Sequence, residues 1–146
     1  MKTKHPTLAL LAILFAAACG GAAATASPPA PVNFVMVAQN GSAVKGTGQV
    51  VESNGSFKIT VKLTGMPAGS SHVSHVHAGH CAAPGGIAYA LQSVVADSAG
   101  TATTVSTVPA TYAIPVSGWY VNVHHGPDFT EAAYAPSDSC GDLTAK

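Results

Sequence analysis

No arginine occurs anywhere in the 146 residues, and six lysines are the only fixed cationic side chains. Phosphate recognition leans on Arg and Lys, so this argues against a nucleic-acid partner. Charged residues of either sign make up only 8% of the chain, while Ala, Val, Thr and Gly are abundant. That is the composition of a small β protein adapted to export. No stretch shows convincing helical periodicity, and there is no internal repeat. The N-terminal apolar run, residues 8–18, is too short to span a bilayer as a stable helix. The length suits a single domain.

That apolar run has another use. Lys2 and Lys4, the run itself and the small residues behind it have the layout of a signal peptide, residues 1–18. The signal ends at Ala16-Ala17-Ala18-Cys19-Gly20, which resembles the lipobox of bacterial lipoproteins, where the cysteine becomes the lipidated first residue. The resemblance implies lipidation at Cys19 and attachment to a membrane of the cell envelope. Ala16 stands where that motif more often has Leu, which keeps a cleaved, soluble secreted protein as the alternative. Residues 19–31, rich in Gly, Ala, Ser and Pro, read as a flexible tether, and residues 32–146 as the folded domain. Once the signal is removed, Lys45, Lys58, Lys62 and Lys146 face Glu52, Asp97, Asp128, Glu131, Asp138 and Asp142, so the mature chain is slightly acidic.

Only three cysteines are present. If Cys19 carries lipid, Cys81 and Cys140 remain as an even pair in an oxidising compartment. Joining them would close a loop of about sixty residues, a constraint of about 4 kcal/mol on the chain-entropy account. Two free thiols are the alternative.

From Val32 onward the pattern is β. Residues 33–38 alternate, Asn40-Gly41 marks a turn, and residues 46–52 alternate again. Asn54-Gly55 is a hairpin signal, for which a tight primed turn requires positive φ at both residues. Phe57, Ile59, Val61 and Leu63 then share one strand face. Residues 87–95 read as one apolar strand, 101–108 as a β-branched one, 118–124 as another, and 140–143 as a short last one. Seven or eight short strands at this spacing predict a β-sandwich or barrel.

The histidines give the domain its chemistry. In the run His72-Val73-Ser74-His75-Val76-His77, strand alternation sets His75 and His77 side by side on one face. Val121-Asn122-Val123-His124 also alternates and offers a third imidazole from a different strand. Three neutral imidazoles form a nitrogen donor set suited to copper or zinc.

With that layout, the chain resembles the Cu/Zn superoxide dismutase superfamily over residues 33–143. Val44-Lys45-Gly46-Thr47-Gly48 is similar to that family's glycine-marked first strands, and Leu63-Thr64-Gly65-Met66-Pro67-Ala68-Gly69 to the loop leading into its metal strand. His72-x-x-His75-Val76-His77 resembles the family's H-G-F-H-V-H, whose last two histidines bind copper. Val121-Asn122-Val123-His124, followed by Pro127-Asp128, is similar to the strand bearing a further copper ligand. Ser139-Cys140-Gly141 resembles its A-C-G, whose cysteine pairs with one in the loop after the metal strand, where Cys81 stands. Small bacterial lipoproteins with a short H-x-H-x-G-x-C segment and the chordin-type CHRD domain share the pattern. The resemblance implies an all-β Greek-key sandwich, copper held by His75, His77 and His124, a structural His72 and a Cys81–Cys140 disulfide.

The departures bear on activity. No histidine lies between His80 and His124, so the dismutases' bridging histidine and zinc loop are missing, and zinc is not expected. Ser137 stands where the dismutases carry an arginine that guides superoxide. His80 is a candidate fourth ligand or a solvated loop residue. His125 should face away from His124, Trp119 and Tyr120 read as packing residues, and Asp128 and Glu131 as a solvated acidic loop. The functional expectations are a copper-only dismutase-like protein acting weakly on superoxide, a copper-binding or storage protein without turnover, and a CHRD-like structural or interaction domain with a vestigial metal site.

Overall fold

The computed structural model describes Met1, Ser27 and residues 29–145. Cys19, the signal region 1–18 and most of the tether 19–31 lie outside the described residues. The chain forms β1 (Val32–Ala38), β2 (Lys45–Ser53), β3 (Ser56–Thr64), β4 (Ser71–His72), β5 (Ser74–His80), β6 (Ala83–Ala90), β7 (Val94–Val95), β8 (Ala102–Val108), β9 (Trp119–His124) and β10 (Ser137–Leu143), with one 3-10 turn at Ala132–Tyr134. Eight strands join in a curled antiparallel sheet of order β6-β5-β9-β10-β1-β2-β3-β8, and β4 pairs with β7 alone. The fold is all-β, a sheet curled into a half-barrel, as the turn spacing predicts.

The connections explain the curl. β1, β2 and β3 form a meander, after which the chain crosses to β5 and β6, returns to place β8 beside β3, and crosses again to insert β9 between β5 and β10. β1 joins the two halves: residues 32–36 pair with β2, whereas Val37 and Ala38 pair with Cys140 and Ser139 of β10. The concave side carries the core. Phe57, Ile59, Val61 and Leu63 of β3 face Val76 of β5 and Trp119, Val121 and Val123 of β9, all buried. Phe57 is the centre of an aromatic cluster, with ring centroids 5.4 Å from Tyr112, 5.9 Å from Tyr89 and 6.0 Å from Trp119. Each such pair contributes about 0.5–1.5 kcal/mol beyond its buried area. Gly48 is required beneath this layer, because a Cβ there would lie 2.0 Å from the Phe34 ring.

Several local expectations are corrected. The apolar run 87–95 is not one strand. Its first part extends the edge strand β6, which starts at Ala83 and contains Pro84; an edge can carry a proline because one row of its backbone groups needs no partner. The chain then leaves the sheet at Leu91 and Gln92, whose backbone groups bond Ser74 and the Ser106 hydroxyl, and returns to strand geometry only at Val94. The histidine run is broken at Val73, which bonds across to the Gly126 carbonyl and to the His124 amide. β10 begins at Ser137, earlier than the short strand expected at 140. At Asn40-Gly41 both residues have positive φ, but at Asn54-Gly55 only Gly55 does, so that hairpin closes without the left-handed Asn.

Cys81 and Cys140 are disulfide-bonded, with Cα atoms 5.9 Å apart. The bond ties the β5–β6 hairpin to β10, and the Cys81 amide also donates to Asp142 Oδ1 at 2.7 Å. A disulfide is compatible with an extracellular or periplasmic protein. Among the described residues no helix is long and apolar enough to cross a membrane.

Candidate metal centre

All six residues of β9 are buried, because the strand is covered on both sides. Trp119, Val121 and Val123 point into the core, and alternation sends Tyr120, Asn122 and His124 to the other face. On β5 the register places His75 opposite Asn122 and His77 opposite Tyr120. The alternation read from the sequence therefore delivers His75, His77 and His124 to one face of two neighbouring strands.

The three imidazoles form a nearly equilateral triangle. Ring centroids are 5.7 Å apart for His75 and His77, 5.4 Å for His75 and His124, and 5.6 Å for His77 and His124. One nitrogen from each ring lies within 4.8 Å of the other two, close enough for one ion to meet all three.

Backbone carbonyls orient two of the rings. His77 Nδ1 donates to the Gly85 carbonyl at 3.0 Å, and His124 Nδ1 donates to the Ala135 carbonyl at 2.7 Å. Each bond fixes the proton on Nδ1 and leaves Nε2 unprotonated, with a lone pair that can ligate a metal. The Gly85 carbonyl is available because the β5–β6 register shifts between His77 and Gly79. A Cβ on Gly85 would lie 2.5 Å from the Ala78 carbonyl oxygen, so the bulge depends on glycine. The Pro84-Gly85-Gly86 segment, which in sequence is a mere connection, thus orients a candidate ligand. Ala135 is brought back to His124 by the 3-10 turn, with His125 N bonding Pro136 O and Gly126 N bonding Tyr134 O.

Two buried nitrogens, His75 Nδ1 and His77 Nε2, have no hydrogen-bond partner among the described residues. Leaving buried polar atoms unpaired costs about 1–3 kcal/mol each, and a metal ion would satisfy both together with His124 Nε2. The donor set fits a cation that accepts imidazole nitrogen, such as copper or zinc. Burial is also the main reason that the pKa of His75 falls from 6.5 to about 4, with repulsion from His124 and then His77 adding to it. The pKa of His124 is lowered too, again chiefly by burial, against the opposing pull of the Ala135 carbonyl. Both shifts favour the neutral, metal-competent ring.

Aromatic groups wall the triangle. Tyr120 stacks on His77 with centroids 5.1 Å apart, and Phe129 stacks on His75 at 5.5 Å while meeting His124 edge-on at 4.8 Å. Phe129 is half exposed and lies in the loop after His124, where no periodicity could have singled it out. Asn122 could have been found: it precedes His124 by two in a strand, so it shares the site's face, and it is polar in an otherwise apolar run.

The other sequence candidates lie elsewhere. His80 is half exposed at the end of β5, with Nδ1 3.8 Å from Asp142 Oδ1 and its ring against Gly118, and it does not join the triangle. His72 is buried; its Nδ1 donates to the His124 carbonyl at 2.8 Å and its Nε2 lies 2.8 Å from the Ser70 hydroxyl oxygen. His125 is mostly exposed and bonds Asp138 Oδ1 at 3.0 Å. Asp128 caps its own loop through Thr130.

No protein-family model matches the chain, and neither does any curated protein.

Proposed function

We propose that this chain is an exported copper-binding protein related to the Cu/Zn superoxide dismutases and CHRD domains, holding one copper through His75, His77 and His124. The observation that carries the reading is the triangle of His75, His77 and His124, one nitrogen of each within 4.8 Å of the others, in which the buried His75 Nδ1 and His77 Nε2 have no hydrogen-bond partner among the described residues. In this reading Cys19 anchors the domain by lipid to the outside of the cytoplasmic membrane, or the domain is released.

Copper in such a site would supply one-electron chemistry, cycling between Cu(II) and Cu(I), for which superoxide is the small-anion substrate the resemblance implies. The residues of the chain favour the neutral rings of His75 and His124, fix the tautomers of His77 and His124 through Gly85 and Ala135, and wall the triangle with Tyr120 and Phe129. They do little to attract an anion. Among the described residues the lysines are Lys45, Lys58 and Lys62, all on β2 and β3, whereas the triangle sits on β5 and β9 across the sheet order. Without a local cationic field the steered component of association is lost, so turnover should be slow.

A second reading, a copper-holding or CHRD-like domain without turnover, is favoured by the Phe129 ring lying over His75 and His124. Pulse radiolysis on the copper-loaded protein separates the two. Superoxide decay faster than with the His124→Ala variant supports a weak dismutase; equal decay leaves the non-catalytic reading. Melting with and without copper then separates a used site from a vestigial one, because a metal bound only by the native state must raise the midpoint.

A further inference from the structure

Asn122 stands in the middle of the site's face, 5% exposed, directly across from His75 on β5 and from Cys140 on β10. Its amide N–H donates to His124 Nε2 at 3.1 Å, and its Oδ1 accepts from the Ser137 hydroxyl. Two buried ring nitrogens of the triangle, His75 Nδ1 and His77 Nε2, have no partner among the described residues, whereas His124 Nε2 is held by this amide.

That arrangement poses a conflict. With its proton on Nδ1, His124 has one lone pair at Nε2. The pair can serve the Asn122 hydrogen or an ion, and not both. Entry of a metal therefore displaces the amide. A carboxamide offers a donor on one side and an acceptor on the other, so half a turn about its last torsion replaces the NH2 group by Oδ1 on the site side. Ser137 permits the turn, because a hydroxyl donates to Oδ1 in one orientation and accepts from Nδ2 in the other.

We propose that Asn122 is a switching ligand: its amide nitrogen caps His124 Nε2 while the site is empty, and its amide oxygen faces the ion once one is bound. The proposal rests on the copper reading above and names the fourth donor that three histidines leave open. An oxygen donor suits Cu(II) better than the softer Cu(I), so Asn122 favours the oxidised ion.

The test compares Cu(II) and Cu(I) affinities of the whole protein with those of Asn122→Leu, similar in shape but without donor or acceptor, and Asn122→Asp, which keeps the oxygen. Asn122→Leu should weaken Cu(II) binding about tenfold or more, the scale for losing a group that supports a metal site, and should weaken Cu(I) far less. Electron spin-echo spectra in D2O should show extra copper-bound water in that variant. Asn122→Asp should retain or tighten Cu(II). Equal effects on both oxidation states, or unchanged affinity and water content, would overturn the proposal. A readout on the unmutated protein covers the case of a variant that does not fold: the Asn122 side-chain carbonyl carbon resonance should move downfield on loading with diamagnetic Zn(II), and a resonance that stays put counts against the switch. Failure of wild-type protein to bind copper, or copper retained in His124→Ala, strikes the copper reading itself. Normal copper binding with an unresponsive Asn122 strikes only this proposal.

Discussion

The buried ring of His72 donates its Nδ1 proton to the carbonyl oxygen of His124, 2.8 Å away. One histidine outside the triangle thereby fixes the backbone of a histidine inside it. Asp138 Oδ2 lies 3.5 Å from the same nitrogen, and Ser70 holds the far side of the ring. The His72→Ala substitution would leave the His124 carbonyl unpaired in a buried place. It should cost about 1–3 kcal/mol of stability and weaken copper about tenfold. Thermal melting and competition with a copper chelator measure the two; unchanged copper affinity would show that His72 supports the fold alone.

Gly85 gives a sharper separation of orientation from stability. A methyl at this position meets the Ala78 carbonyl oxygen at 2.5 Å, so Gly85→Ala must shift the bulge that aims the Gly85 carbonyl at His77 Nδ1. Because β6 is an edge strand, the fold should survive with a modest loss of stability. Copper affinity should fall by about tenfold or more, as expected when a group that orients a ligand is lost. Titration of copper into the variant checks it, and Gly86→Ala, whose added Cβ meets open space, is the control.

Stability of the metal-free protein should depend on pH in one direction. The folded-state pKa of His75 is about 4, below its ordinary 6.5, chiefly through burial. Between those values the unfolded chain binds a proton that the native state refuses, so the contribution present above pH 6.5 is lost as pH falls toward 4. His124 is shifted the same way, again first by burial. Melting midpoints of the metal-free protein should therefore drop between pH 7 and pH 5, and His75→Ala should flatten the slope. A flat profile in the unmutated protein would contradict the burial account.

The disulfide spans 59 residues and links the β5–β6 hairpin to β10. Removing it with Cys81→Ser and Cys140→Ser should cost about 4 kcal/mol through the freed unfolded chain. Denaturant unfolding of the double variant measures this. Since Cys140 is the cross-strand partner of Asn122, copper affinity should fall as well.

The β class and the metal triangle were legible because both rest on alternation. His75 and His77 needed only the two-residue period, and His124 needed only a second strand with the same period. What the sequence hid was non-periodic. Gly85 acts through its carbonyl, which every residue has, and its role depends on a register shift. Ala135 reaches His124 through a 3-10 turn that leaves no side-chain signature. Phe129 covers the site from a loop. The apolar run 87–95 misled for a related reason: its hydrophobicity is divided between an exposed edge, where Ile87 is 54% accessible, and the core, which Val94 enters. Cys81 and Cys140, far apart in sequence, could be paired by counting and resemblance.

The central claim is that one copper is held by three histidines, and it is tested most directly by copper stoichiometry with an electron paramagnetic resonance spectrum, on the protein beside its His124→Ala variant. The account predicts one tightly held Cu(II) with nitrogen hyperfine structure, lost in the variant. No stoichiometric copper in the unmutated protein, or a spectrum that survives the loss of His124, would contradict it.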